Sequence, residues 1–225
     1  MAWSLLVRGG TVVDGSGGPA RAADVAIEGD RIAVVGPALT GEAARVIEAR
    51  GLVVAPGFID AHSHSDLFYL DCPAAESKIR QGCTTEVVGM CSFSAAPVHP
   101  DRRDAVRGWA GGIGARLNIR WESFGQYLDV LRAARPSINV AHFVGHGALR
   151  LATIGSVNRP AAPDDVRAMA RHVDEALDAG AFGFSTGLVY PPSAYAGTDE
   201  LIALARAMAA RGGLYFSHKI GRAHV

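Results

Sequence analysis

Cysteine is scarce in this sequence: three in 225 residues, an odd number without paired spacing. No disulfide framework can be built from them, and free thiols suit a reducing cytosol in which a thiolate can bind metal. Excess charge is lacking as well. Lys+Arg and Asp+Glu both number 22, which argues against a nucleic-acid or polyanion partner held by bulk charge. No apolar run reaches the ~18–20 residues that a membrane span needs. Met1–Arg8 has no basic stretch leading into a long apolar one. The expectation is a soluble, cytoplasmic protein with neither a nucleic-acid nor a membrane partner. A GxGxxG or P-loop following a strand is also missing, which speaks against a doubly wound nucleotide-binding fold.

What is present is core material and many turns: 49% of residues are apolar and 27 are glycine. Residues 1–55 read as a small, mostly antiparallel β module, with Gly29-Asp30 as a two-residue hairpin turn between two strands. Such a module is too small to bury a core alone. After Pro56 the rhythm changes to strand, then helix, repeated. Strands are expected at 57–61, 84–89, 138–145, 181–185 and 214–218. Helices are expected at 74–81, from Ser123 to 131, from Pro163 to 179, and from Thr198 to 211. Alternating strands and helices with near-continuous apolar strands mean a parallel sheet, either open or part of an eight-stranded barrel.

The stretch Gly57-Phe58-Ile59-Asp60-Ala61-His62-Ser63-His64 organises the rest. In extended chain, residues i and i+2 share a face. His62 and His64 therefore project together, and two imidazoles at a strand end can hold a divalent metal. The competing reading is an ordinary loop pair. Cys91 follows the second strand and could join them from the same rim, or be a buried small hydrophobe, as Cys72 and Cys83 are expected to be. His218 closes the fifth strand and is placed to be a further ligand. His146 stands between two glycines, which points to close backbone approach and a supporting role. His99 and His172 read as surface residues.

Residues 52–67 resemble the first barrel strand of the amidohydrolase superfamily. Thr84–Ser94, Gly145–Arg150 and Gly183–Pro192 resemble segments of the N-acyl-D-amino-acid deacylases (D-aminoacylases) within it. The resemblance implies an α/β fold: a zinc-dependent, TIM-like β/α barrel, with the small β module at its N-terminal side. It implies that His62, His64, Cys91 and His218 are metal ligands and that Tyr190 helps hold the substrate α-carboxylate. It leaves His146 and Asp66 as candidates to support those ligands. The implied reaction is hydrolysis of the amide of N-acyl-D-amino acids, small-molecule substrates, to a carboxylic acid and a D-amino acid. The alternatives are another amidohydrolase, acting on cyclic amides or dipeptides, and a catalytically inactive metal-binding fragment.

The sequence departs from that pattern at its end. The family resemblance calls for another ligand histidine after a sixth strand and a catalytic aspartate after an eighth, whereas about five of eight strands are legible here. Ile220-Gly221-Arg222-Ala223-His224-Val225 matches the translation of a common sequencing adapter, so His224 is not counted as a ligand. The expected organisation is therefore a β module at 1–55, a partial barrel at 56–219 and an artefact at 220–225. An N-terminal fragment of this kind is expected to be inactive, with the catalytic aspartate beyond it.

Overall fold

The computed structural model describes residues 3–218; Lys219 and the stretch 220–225 lie outside the described residues. The chain divides into two compact units, Met1–Gly57 and Phe58–Val225.

The first unit is a five-stranded sheet in the order β3-β2-β1-β4, with β5 also paired to β1. β1 (Leu5–Val12) and β2 (Arg21–Glu28) are antiparallel, and β2 turns into β3 (Arg31–Gly36) through Gly29-Asp30. Gly29 has a φ of +62°, which is why glycine opens this turn. The sequence reading differs here in two respects. The segments around Gly9 and Gly10 form one strand with a bulge rather than two. β4 (Val46–Glu48) and β5 (Val53–Val54) run parallel to β1, because the chain crosses back before pairing. Val12, Ala23 and Val25 form the small core of this unit.

The second unit is a wholly parallel five-stranded sheet in the order β10-β9-β8-β7-β6. Its strands are β6 (Phe58–Asp60), β7 (Cys83–Val88), β8 (Asn139–Gly145), β9 (Gly183–Thr186) and β10 (Leu214–Ser217). Neighbouring strands are therefore sequential, and each strand-to-strand passage is a helical crossover, as in a β/α barrel. Between β6 and β7 lie only single turns, α1 (Phe68–Asp71) and α2 (Glu76–Ile79), the chain then turning at Gly82 with φ +83°. The polar insertion after β7 forms α3 (Arg103–Trp109), followed by a 3₁₀ turn. α4 (Phe124–Ala134) starts with a complete capping box: Gln126 N donates to Ser123 Oγ, and Gln126 Oε1 accepts from Ser123 N. α5 (His146–Thr153) follows β8 directly and was not legible as a helix in the sequence. α6 (Pro163–Ala179) has Pro163 and two aspartates in its first turn and stops at Gly180, φ +112°. α7 (Thr198–Ala209) is entered from Gly197 rather than capped by the Thr198 side chain. The core lies where these helices meet the sheet, with Val144, Leu149, Met169, Val173, Phe184 and Leu204 fully buried. Among the described residues no helix is long and apolar enough to cross a membrane.

His142 on β8 is buried against Phe124 and Tyr127, with ring centroids 6.1 and 5.5 Å away. Burial, helped by the charge of Arg132, depresses its pKa from 6.5 to about 4. Below the ordinary value the unfolded chain takes up a proton that the folded chain refuses, so acid destabilises the fold. From pH 7 to pH 5 this residue is expected to cost about 2 kcal/mol, at about 1.4 kcal/mol per pH unit. Denaturant titrations at both pH values check it: His142→Gln should lose that share of the pH dependence, and identical slopes in variant and wild type would refute the assignment.

Candidate metal centre

The parallel pairing brings the ends of β6, β7, β9 and β10 to one rim, and the histidines and cysteine meet there. His62 and His64 lie just past the end of β6, not within it. The chain bends at His62, and Ser63 N donates to Val87 O of β7 at 2.9 Å, which ties the segment to the neighbouring strand. The two rings sit 5.6 Å apart. Cys91 is reached from β7 through Gly89, whose φ is +79°. A Cβ at that position would come within 1.9 Å of Phe143 O, so no side chain fits there.

One nitrogen from each of His62 and His64 and the sulfur of Cys91 lie within 4.8 Å of one another. The Sγ is 3.1 Å from His62 Nε2 and 3.0 Å from Nδ1 of His218, whose backbone N is fixed by Thr186 O. Cys91 thus stands between two imidazoles that are far apart in the sequence. Loss of hydration lowers the pKa of His64, and the neighbouring His62 and His218 lower it further. Burial raises the pKa of the Cys91 thiol. His62, His64 and Cys91 form a borderline-soft donor set of the kind that zinc takes, and His218 adjoins it at the sulfur.

Beside His64 opens a cleft of about 740 Å³. Its apolar wall includes Phe93 and Trp109, 5.0 Å apart, and Tyr190, which is 5.2 Å from Phe93 and 5.2 Å from His218. Asp66 also lines it; the residue is buried, its Oδ1 has no partner, and burial pushes its pKa up to about 7. Arg116, from the insertion after β7, reaches the cleft while paired to Asp71 at 2.6 Å. The insertion's contribution was not legible, because its residues line a cleft only once the chain is folded.

His146 does not join the cluster. It is fully buried between Ser193 and Glu200. Gly145 and Gly147 on either side of it pack on Ser92 O, where an added Cβ would lie 2.3 and 2.9 Å away. His99, which accepts from Asp101 N, and His172 on α6 are both half-buried rather than fully exposed. Cys83 is half-buried, and Cys72 is exposed rather than buried, because the short α1 leaves it outside the core. His224 lies outside the described residues.

The sequence model of the amidohydrolase family matches residues 45–218, most of the chain, and the chain belongs to that family. Among its relatives it is similar to the D-aminoacylase of Alcaligenes xylosoxydans xylosoxydans, with 42% identity over 96% of this chain and 44% of the relative. It is likewise similar to the N-acyl-D-glutamate deacylase of the same organism, with 44% identity over 95% of this chain and 43% of the relative. The crystal structure of N-acyl-D-glutamate deacylase from Bordetella bronchiseptica, complexed with zinc and a phosphonate mimic of the tetrahedral intermediate, superposes with a TM-score of 0.88. It is 39% identical, over 97% of this chain and 45% of that one. The chain thus spans less than half the length of the curated relatives it matches.

Proposed function

We propose that this chain carries the greater part of a zinc site in a hydrolase of N-acyl-D-amino acids, with His62, His64, Cys91 and His218 as the ligands. The observation that carries this reading is the placement of Cys91 Sγ at 3.0–3.1 Å from nitrogens of His62 and His218, with His64 in the same cluster. The donor chemistry fits zinc, and the zinc-complexed relative supports the choice.

A divalent cation held there supplies Lewis acidity and lowers the pKa of water toward ~7. The chain's own residues do the rest of the work assigned to this half. Cys91, itself buried beside two exposed histidines, gives up its proton to become a ligand. Tyr190, which lines the cleft, donates its hydroxyl to the substrate α-carboxylate in this reading. Phe93 and Trp109 exclude water from the apolar part of the substrate. The catalytic aspartate that the family resemblance calls for is not among the described residues around the cluster, and Asp66, buried beside His64, is kept as a supporting group. Residues 1–55 are read as part of an accessory β module and 56–219 as part of the barrel. The balanced charge supports the absence of a nucleic-acid partner, and the unpaired cysteines support a cytoplasmic setting for a small-molecule substrate.

The test is metal analysis of the purified protein with a panel of amide substrates. Zinc bound by this chain and removed by a chelator is the expected result, with release of D-amino acids from N-acyl-D-amino acids only by a protein that also carries the catalytic aspartate. Turnover of cyclic amides or dipeptides instead, or none with zinc absent from the protein, would overturn the reading.

A further inference from the structure

The turn that carries the sulfur has an unusual backbone. Cys91 and Ser92, neither of them glycine, both lie in the left-handed region, with φ of +55° and +75°. Such a conformation persists only where its surroundings impose it. The surroundings here are polar and buried. Ser92 Oγ accepts the N–H of Gly187 and, at 2.9 Å, the hydroxyl of Ser193. Ser92 N donates to Ser185 Oγ, and Ser92 O accepts from Ala148 N.

From Ser193 the chain of contacts runs inward. Ser193 Oγ is 3.0 Å from His146 Nδ1, and His146 Nε2 donates to Glu200 Oε1 at 2.9 Å. Arg150 closes the chain by donating to both oxygens of the same carboxylate. His146 and Arg150 are wholly buried and Glu200 nearly so. Burying a cation, an anion and an imidazole is costly and, for stability alone, often no better than apolar packing. Arg150 Nη2 donates outward to Arg159 O, whereas from His146 a polar path leads through two serines to the Cys91 turn and to the 187–193 loop that bears Tyr190.

We propose that Glu200, His146, Ser193 and Ser92 form a positioning chain that holds the Cys91–Ser92 turn in its left-handed conformation and ties the Tyr190 loop to the same anchor. Its members touch neither metal nor substrate. They act through Cys91 and Tyr190, as hydrogen-bonded outer groups orient ligands in other metal sites. The inference rests on the reading of the cluster as a metal site.

The experiment titrates metal-free protein with Co²⁺ and follows the near-ultraviolet absorption of the cobalt–thiolate bond. Glu200→Gln is the obvious variant, but it disturbs a buried ion pair and can unfold the chain. Ser193→Ala cuts the link and leaves that pair intact. In Ser193→Ala, circular dichroism and the unfolding midpoint should stay close to wild type, while Co²⁺ affinity falls about tenfold or more and the thiolate band weakens. Unchanged affinity and band in a folded Ser193→Ala protein would overturn the positioning chain alone. Loss of folding in that variant would also overturn it, since the serine would then be structural. A wild-type protein with no cobalt–thiolate band would remove the metal reading and the inference together.

Discussion

Cys91→Ala is expected to abolish stoichiometric metal binding and to leave the fold standing. The sulfur is the shared neighbour of His62 and His218, so its loss removes the group that both imidazoles face. The effect should exceed the ~10–100-fold cost of disturbing a group that merely supports a ligand. The structural cost is small by comparison. Cys91 packs with Met90 and Phe143, and removing one sulfur from that contact costs roughly 1 kcal/mol. Alanine suits the positive φ no worse than cysteine does. Elemental analysis and circular dichroism on the same sample decide it: a folded Cys91→Ala protein that keeps one equivalent of zinc would eliminate this residue as a ligand. A second consequence concerns protons. Burial holds the thiol in its protonated form, so a cation must displace that proton on binding. Metal uptake should therefore release acid and weaken as the pH falls.

Arg150→Met is expected to destabilise the second unit by about 3–5 kcal/mol, the usual cost of stranding one partner of a buried ion pair. Arg150 has no exposure, and its Nη2 also donates to Arg159 O at 2.7 Å. Burial pushes the Glu200 carboxyl up, but the hydrogen bonds from His146 and Arg150 outweigh that and hold its pKa below the ordinary value. A carboxyl with a depressed pKa stabilises the fold above its unfolded pKa, and that contribution disappears as acid titrates the folded group. The arginine's share of the depression goes with Arg150→Met. Urea denaturation at neutral pH measures the loss. Replacing Arg150 and Glu200 together by apolar residues of similar volume should recover much of it. A single-variant loss under about 1 kcal/mol would show that the pair is not a structural keystone.

The sequence by itself determined the elements whose signals are local. The N-cap at Ser123, the proline and aspartates opening α6 and the Gly29-Asp30 turn are each written within a few residues, because each is a signal of the local chain. The strand–helix alternation followed from apolar runs of strand length, and the pairing of His62 with His64 followed from the two-residue period of extended chain. Tertiary structure decided what depends on distant residues. The crossover that sets β4 and β5 parallel to β1 has no composition signal. Nor has α5, whose seven buried residues read as a loop with glycines until β8 and β9 enclose them. Cys91 meets His62 across 29 residues and His218 across 127, and only the strand order of the sheet brings those ends to one rim. The ion pair of Arg150 with Glu200, 50 residues apart, was invisible for the same reason. A charge on a helix reads as a solvated face until the packing that buries it is known, whereas a cap or a turn is fixed by its nearest neighbours.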